Sequence, residues 1–121
     1  MSVEGRRFRQ AWIDGVRKHM EGEPKPGYVA PWEEMGLWEQ LSATAVYQQI
    51  ADFIKTSEVA TAKLSREERG RFVSICWNGQ VLRFFEDPKP SYRAPWEDLP
   101  KWQQETNCDI FDAIEEQVTK S

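Results

Sequence analysis

Pro88-Lys89-Pro90-Ser91-Tyr92-Arg93-Ala94-Pro95-Trp96-Glu97 restates, 64 residues later, Pro24-Lys25-Pro26-Gly27-Tyr28-Val29-Ala30-Pro31-Trp32-Glu33, with eight of ten positions identical. The match extends without a gap in both directions. Residues 7–57 share 15 identities with 71–121, where ordinary composition gives about three by chance. Outlying pairs are Arg7/Arg71, Phe8/Phe72, Gly15/Gly79, Trp38/Trp102, Gln40/Gln104 and Ile50/Ile114. The chain therefore reads as an internal repeat with an offset of 64, two units over 1–57 and 65–121 joined by a small, polar linker over 58–64.

Each unit reads as helix, Pro-rich loop, helix. Ser65 and Glu68 form an S-x-x-E capping box, which predicts a helix start near Arg66. Phe72, Val73, Ile75, Cys76, Trp77, Val81, Leu82, Phe84 and Phe85 then spread apolar surface over more than one face, the pattern of a helix buried on several sides. Pro88 and Pro90 stop it. The matching first helix has a narrower stripe of Phe8, Ala11, Trp12, Val16 and Met20, and its polar remainder, Arg6, Arg9, Asp14, Arg17 and Lys18, places it further out. Pro100 suits a helix's first turn and precedes Trp102, Thr106, Ile110, Ala113, Ile114 and Val118; Gly36 holds the same place before Trp38, Leu41, Ala45, Val46, Ile50, Phe53 and Ile54. The expected helices are 3–20, 36–55, 66–85 and 100–118. Strand alternation is absent, and the expected fold is all-α. Two helices make a thin core alone, so the two hairpins are expected to pack with pseudo-twofold symmetry into one four-helix bundle, a single domain over 1–121 with Pro-rich structured loops.

Composition narrows the function. Among 121 residues, 40% are hydrophobic and 30% charged, and six are tryptophan. A mean hydropathy of −0.70 with no long apolar run argues against a membrane span. The N-terminus lacks the apolar stretch of a signal peptide, and two cysteines are too few for a disulfide framework; a cytoplasmic protein is expected. The net charge of −4 argues against broad nucleic-acid binding. A built-in pseudo-dimer favours a monomer.

The run Pro95-Trp96-Glu97-Asp98-Leu99-Pro100-Lys101-Trp102-Gln103-Gln104-Glu105-Thr106 resembles the PW-E-x-x-P-x-W-Q-x-x-S/T segment of ryanodine receptor repeat domains. Pro31-Trp32-Glu33-Glu34-Met35-Gly36-Leu37-Trp38-Glu39-Gln40-Leu41-Ser42 is a weaker copy. The chain is also similar to small proteins of actinobacteria and their phages. The resemblance implies a small helical module used for interaction or ligand sensing, without an enzymatic activity.

The candidate sites follow from the loops. Closely spaced prolines favour extended backbone that displays side chains at low entropic cost. Lys25, Tyr28 and Trp32, with Lys89, Tyr92 and Trp96, can bind a small anionic or aromatic ligand, the lysines as point charges and the rings by stacking; a protein partner is the other occupant expected. Alternatively the tyrosines and tryptophans plug the hairpins and the role is structural. Trp12, Trp38, Trp77 and Trp102 read as core.

No cofactor, metal or catalytic constellation is expected. His19 is the only histidine, Cys76 and Cys108 lack a base nearby in sequence, and no phosphate loop or nucleophile motif occurs. Glu21/Glu23 and Glu86/Asp87 oppose the dipole at helix C-termini; Lys25, Lys89, Arg17 or Arg83 are the groups expected to offset them, with a bound cation as the lesser alternative. Asp109, Asp112, Glu115 and Glu116 read as a solvated face. Arg6, Arg7, Arg9, Arg66, Arg69 and Arg71 read as partners of intramolecular ion pairs, with a weak nucleic-acid edge as the alternative.

Overall fold

The computed structural model describes residues 3–120, apart from the side chains of residues 58 and 59. It contains four helices: α1 (Val3–His19), α2 (Leu37–Ser57), α3 (Arg66–Phe84) and α4 (Lys101–Lys120), and no strand among the described residues. The Pro-rich segments form short 3-10 turns at Pro26–Tyr28, Trp32–Glu34, Pro90–Arg93 and Trp96–Asp98. The capping box closes as expected: Glu68 N–H donates to Ser65 Oγ, and Ser65 N–H donates to the Glu68 carboxylate. At α4, the Pro100 carbonyl accepts from the N–H groups of Gln103 and Gln104.

The residues between the hairpins do not hang free. They wind into a 3-10 turn, Glu58–Lys63, and Arg69 Nη2 donates to the Thr61 carbonyl at 2.9 Å.

α2 and α4 touch across the centre, and each of α1 and α3 packs on both of them. Val46, Ile50 and Ile54 of α2 meet Ile110, Phe111 and Ile114 of α4, with Phe8 from α1 and Val73 from α3 closing the cluster. Each such side chain contributes about 1.5–3 kcal/mol when taken from water. Tyr47 is buried with its hydroxyl donating to Gln117 Oε1.

The two halves make matching contacts, and the register of the matches is informative. Trp32 and Thr44 lie against Gly5, where a Cβ would come 2.5 Å from the Trp32 ring; Trp96 and Cys108 lie against Gly70, also at 2.5 Å from the ring. Arg6 pairs with Glu33 and covers Trp32, as Arg71 pairs with Glu97 and covers Trp96. Trp32/Trp96, Glu33/Glu97 and Thr44/Cys108 stand 64 apart, whereas Gly5/Gly70, Arg6/Arg71 and Trp12/Trp77 stand 65 apart. The extra residue falls in the descent to the first loop. Val16 lies eight residues before Pro24 and Val81 seven before Pro88, and in the longer connection Gly22 adopts φ +80°, which glycine adopts without penalty. Arg71 is thus matched in its contacts by Arg6 rather than by Arg7.

Three placements differ from expectation. Arg9 is 8% exposed and not on an outer face. Ile75 and Leu82 are 68% and 54% exposed, so the second apolar face of α3 meets solvent because α3 has neighbours on one side only. Leu41 also points outward.

Candidate ligand cleft

The hairpins interlock through tryptophan. Trp12 of α1 meets Trp102 of the other hairpin edge-on at 5.8 Å, and Trp77 of α3 meets Trp38 at 5.9 Å. α1 and α3 approach each other through Phe8, stacked on Trp77 at 6.0 Å and 8°. Between these contacts, α1, α3, the starts of α2 and α4 and both Pro-rich loops enclose a cleft of about 740 Å³. That lies within the range of small-molecule sites.

The loops form the rim unequally. The first is held by three bonds from α1: Arg9 Nε to the Ala30 carbonyl, Arg9 Nη2 to Gly27, and Trp12 Nε1 to Tyr28, at 2.8–3.0 Å. Tyr28 is half-buried, tilted against Trp102 at 5.7 Å. In the second loop Asn78 Nδ2 donates to the Ala94 carbonyl. Tyr92 there is 47% exposed and leans edge-on against Phe85.

Of the six residues singled out from sequence, Tyr28 and Tyr92 line the cleft. Lys25 and Lys89 do not; both are exposed, with Lys25 Nζ 6.0 Å from the Tyr28 ring centre. Trp32 and Trp96 lie behind the rim, packed on the glycines of α1 and α3. Their carbonyls each accept from a helix glutamine, Gln40 Nε2 and Gln104 Nε2, both at 2.8 Å. Thr106 Oγ1 donates to the Trp102 carbonyl. Loop and helix are thus tied together along the P-W-E-x-x-P-x-W-Q-x-x-T run, whose Leu99, Trp102 and Gln103 face the cleft.

The charged groups of the cleft are not the two lysines. Arg9 is the one charged side chain among the buried residues described. Arg6, Arg66, Arg69 and Arg71 each hold a carboxylate; Arg9 has none within bonding distance among the described residues, only two backbone carbonyls. Burial pulls its pKa below the usual value, and the field of Glu39, which also lines the cleft, opposes that shift. Ser74 and Asn107, 5% and 7% exposed, line the same space without a hydrogen-bond partner among the described residues. By contact register Ser74 is the counterpart of Arg9, Gln103 of Glu39, and Asn107 of the buried Ala43. The cleft is matched in shape and unmatched in charge.

Arg9 was visible in the sequence in one respect: with Trp12 and Val16 it falls at i, i+3, i+7, on the apolar stripe. Asn107, a polar residue where the other unit has Ala43, carried a similar signal.

The remaining candidates resolve into ion pairs and packing. Arg66 binds Glu105, Asp109 and Asp112 at 2.9–3.2 Å, and Arg69 binds Asp112 and Glu115. Glu116 pairs with Lys120. His19 Nε2 lies 2.6 Å from Asp109, so it faces a carboxylate and not a thiol. Cys108 Sγ donates to the Arg66 carbonyl. Burial pushes the Cys76 thiol up to about 11 and raises Cys108 as well, which leaves both protonated at neutral pH. Glu21, Glu23, Glu86 and Asp87 are exposed. The described residues hold no group of three or more His, Cys, Asp or Glu side chains arranged for a metal ion, and none of their helices is long and apolar enough to cross a membrane.

No family model, curated protein or solved structure matches the chain.

Proposed function

We propose that the chain is a non-enzymatic binding module that holds a small aromatic anion in the cleft, its ring among the tryptophans and its anionic group on Arg9. The observation that carries this reading is Arg9 itself. A guanidinium taken from water without a carboxylate is costly, and here it stands in an aromatic space open to a ligand. Its fork has five N–H donors, of which two serve backbone carbonyls. The tryptophan faces supply the apolar and stacking part of the affinity. The resemblance to ryanodine receptor repeat domains, modules of interaction and sensing, supports the same reading.

3-Phenylpropionate is a suitable probe, titrated by calorimetry. It is expected to bind, and Arg9→Gln is expected to weaken it roughly ten- to a hundredfold, since a hydrogen bond to a charged group contributes about 1.5–3 kcal/mol. Circular dichroism checks that the variant is folded. No binding to the parent, or equal binding to the folded variant, refutes the proposal. Tyr28→Ala with Tyr92→Ala separates a site from a plug: a site loses the ligand with little change in melting temperature.

The exposed pair Ile75 and Leu82 favours a protein contact as a second reading. A nucleic-acid reading draws little support, because Arg6, Arg66, Arg69 and Arg71 are all engaged with carboxylates.

A further inference from the structure

The cleft's lining contains one cationic side chain, Arg9, and one anionic side chain, Glu39. Both belong to the first hairpin; their counterparts in the second, Ser74 and Gln103, are neutral. The Glu39 carboxylate is half-buried, takes a long contact from the Gly36 N–H at 3.4 Å, and makes no ion pair among the described residues. Arg9 and Glu39 act on each other through space, but their charged groups are not hydrogen-bonded together. A ligand with a carboxylate alone satisfies Arg9 and is repelled by Glu39. One with an ammonium alone does the reverse.

We infer that the ligand is a zwitterion of the aromatic α-amino-acid class, with its carboxylate on Arg9, its ammonium on Glu39 and its ring among Trp12, Trp38, Trp77 and Trp102. The two charges of an α-amino acid are adjacent, and the two cleft charges line one space. The tryptophan pairs meet at 62° and 48°, so the walls form corners rather than a parallel slot, and a ring entering them finds edge-to-face partners. The same indole faces favour an ammonium. Ser74 and Asn107 supply the remaining hydrogen bonds at the floor. Because both charges sit in one hairpin, the ligand takes one orientation in a cleft whose shape alone allows two.

The inference rests on the cleft reading proposed above, and four compounds that share one ring separate the two. L-phenylalanine, 3-phenylpropionate, phenethylamine and 3-phenylpropanamide are titrated by calorimetry into the full chain. L-phenylalanine is expected to bind at least tenfold more tightly than each of the others. Glu39→Gln is expected to remove its advantage over 3-phenylpropionate without weakening 3-phenylpropionate itself, and Arg9→Gln its advantage over phenethylamine. Glutamine already occupies the matched position, Gln103, so Glu39→Gln is compatible with the fold. If 3-phenylpropionate binds as tightly as L-phenylalanine, the zwitterion is refuted and the anion site stands. If phenethylamine or the amide does so, the role of Arg9 falls too. If none of the four binds, the cleft reading itself is overturned.

Discussion

Replacing Gly15 and Gly79 separately by alanine tests the helix register, because sequence and contacts make opposite statements about the pair. In sequence the two are equivalent, 64 residues apart. In the structure Gly15 lies against α4, where a Cβ would stand 2.6 Å from Thr106 Cγ2 and 2.9 Å from its hydroxyl, whereas Gly79 has nothing within 4 Å. Thr106 is fully buried, and its hydroxyl is committed to the Trp102 carbonyl. It cannot turn aside without losing that bond, so α1 and α4 must part by most of an ångström.

Overpacking of this kind costs about 1–3 kcal/mol. Alanine in a helix interior returns about 0.5–1 kcal/mol relative to glycine. Gly15→Ala is therefore expected to destabilise by about 1–2 kcal/mol and Gly79→Ala to stabilise by about 0.5–1 kcal/mol. The gap of about 1.5–3 kcal/mol separates their urea midpoints by about 1 M at the slope usual for small domains. Urea unfolding followed by circular dichroism at 222 nm measures it. Gly70→Ala, against Trp96 and Cys108, belongs with Gly15→Ala. If Gly15→Ala and Gly79→Ala shift the midpoint alike, α1 does not meet α4 where the structure places it.

Two further outcomes are expected. The hydrogen bonds from Arg66 hold the Glu105 carboxyl below its usual range; at Asp109 burial pushes upward, but bonds from Arg66 and His19 outweigh it. Both folded pKa values are depressed, so their contribution is complete above the ordinary carboxylate values near 4 and is lost as pH falls through the lower folded values. Urea midpoints should thus decline from about pH 4.5 to 3, and Arg66→Gln should flatten that decline; an unchanged slope sinks the assignment. The partly exposed pairs contribute about 1 kcal/mol at most. Separately, fragments 1–57 and 65–121 should each be unfolded alone by circular dichroism, because Trp12–Trp102 and Trp38–Trp77 both cross between hairpins. Two folded, soluble halves contradict that packing.

The helix boundaries were legible in sequence because local chemistry sets them. Ser65 with Glu68, Pro100, Gly36 and the Pro88 and Pro90 stops are each decided within a few residues, and α3 and α4 begin within one residue of the expected positions. The register of α1 against α3 was not legible. Matching letters rewards Arg7/Arg71 and Phe8/Phe72, whereas packing aligns Gly5/Gly70, Trp12/Trp77 and Val16/Val81, and only the conformation of Gly22 shows where the extra residue went. The site was half legible. Tyr28 and Tyr92 reach the cleft because the prolines carry them to its rim. The lysines beside them were expected to supply charge, but a long side chain on an exposed turn stays in water unless a partner draws it in. The charge comes instead from Arg9, brought inward by its place on the apolar stripe.

The tryptophans alone do not decide between a packed end and a binding site, since indoles serve either. The polar residues around them do. If this end of the bundle were only packing, side chains at the positions of Arg9, Ser74 and Asn107 would be selected for burial. An apolar residue there avoids the desolvation of a guanidinium that has no carboxylate to meet. Ala43, at the position matched to Asn107, shows that the fold accepts an apolar side chain at that level. Several other polar groups nearby are satisfied within the chain: Thr106 by Trp102, Trp12 by Tyr28, and the loop carbonyls by Gln40 and Gln104. Two sealed atoms elsewhere, Ser42 Oγ and Arg69 Nε, also lack partners among the described residues, but Arg9, Ser74 and Asn107 differ from them in lining an open space, and that placement matches a site completed by a ligand more closely than it matches a core.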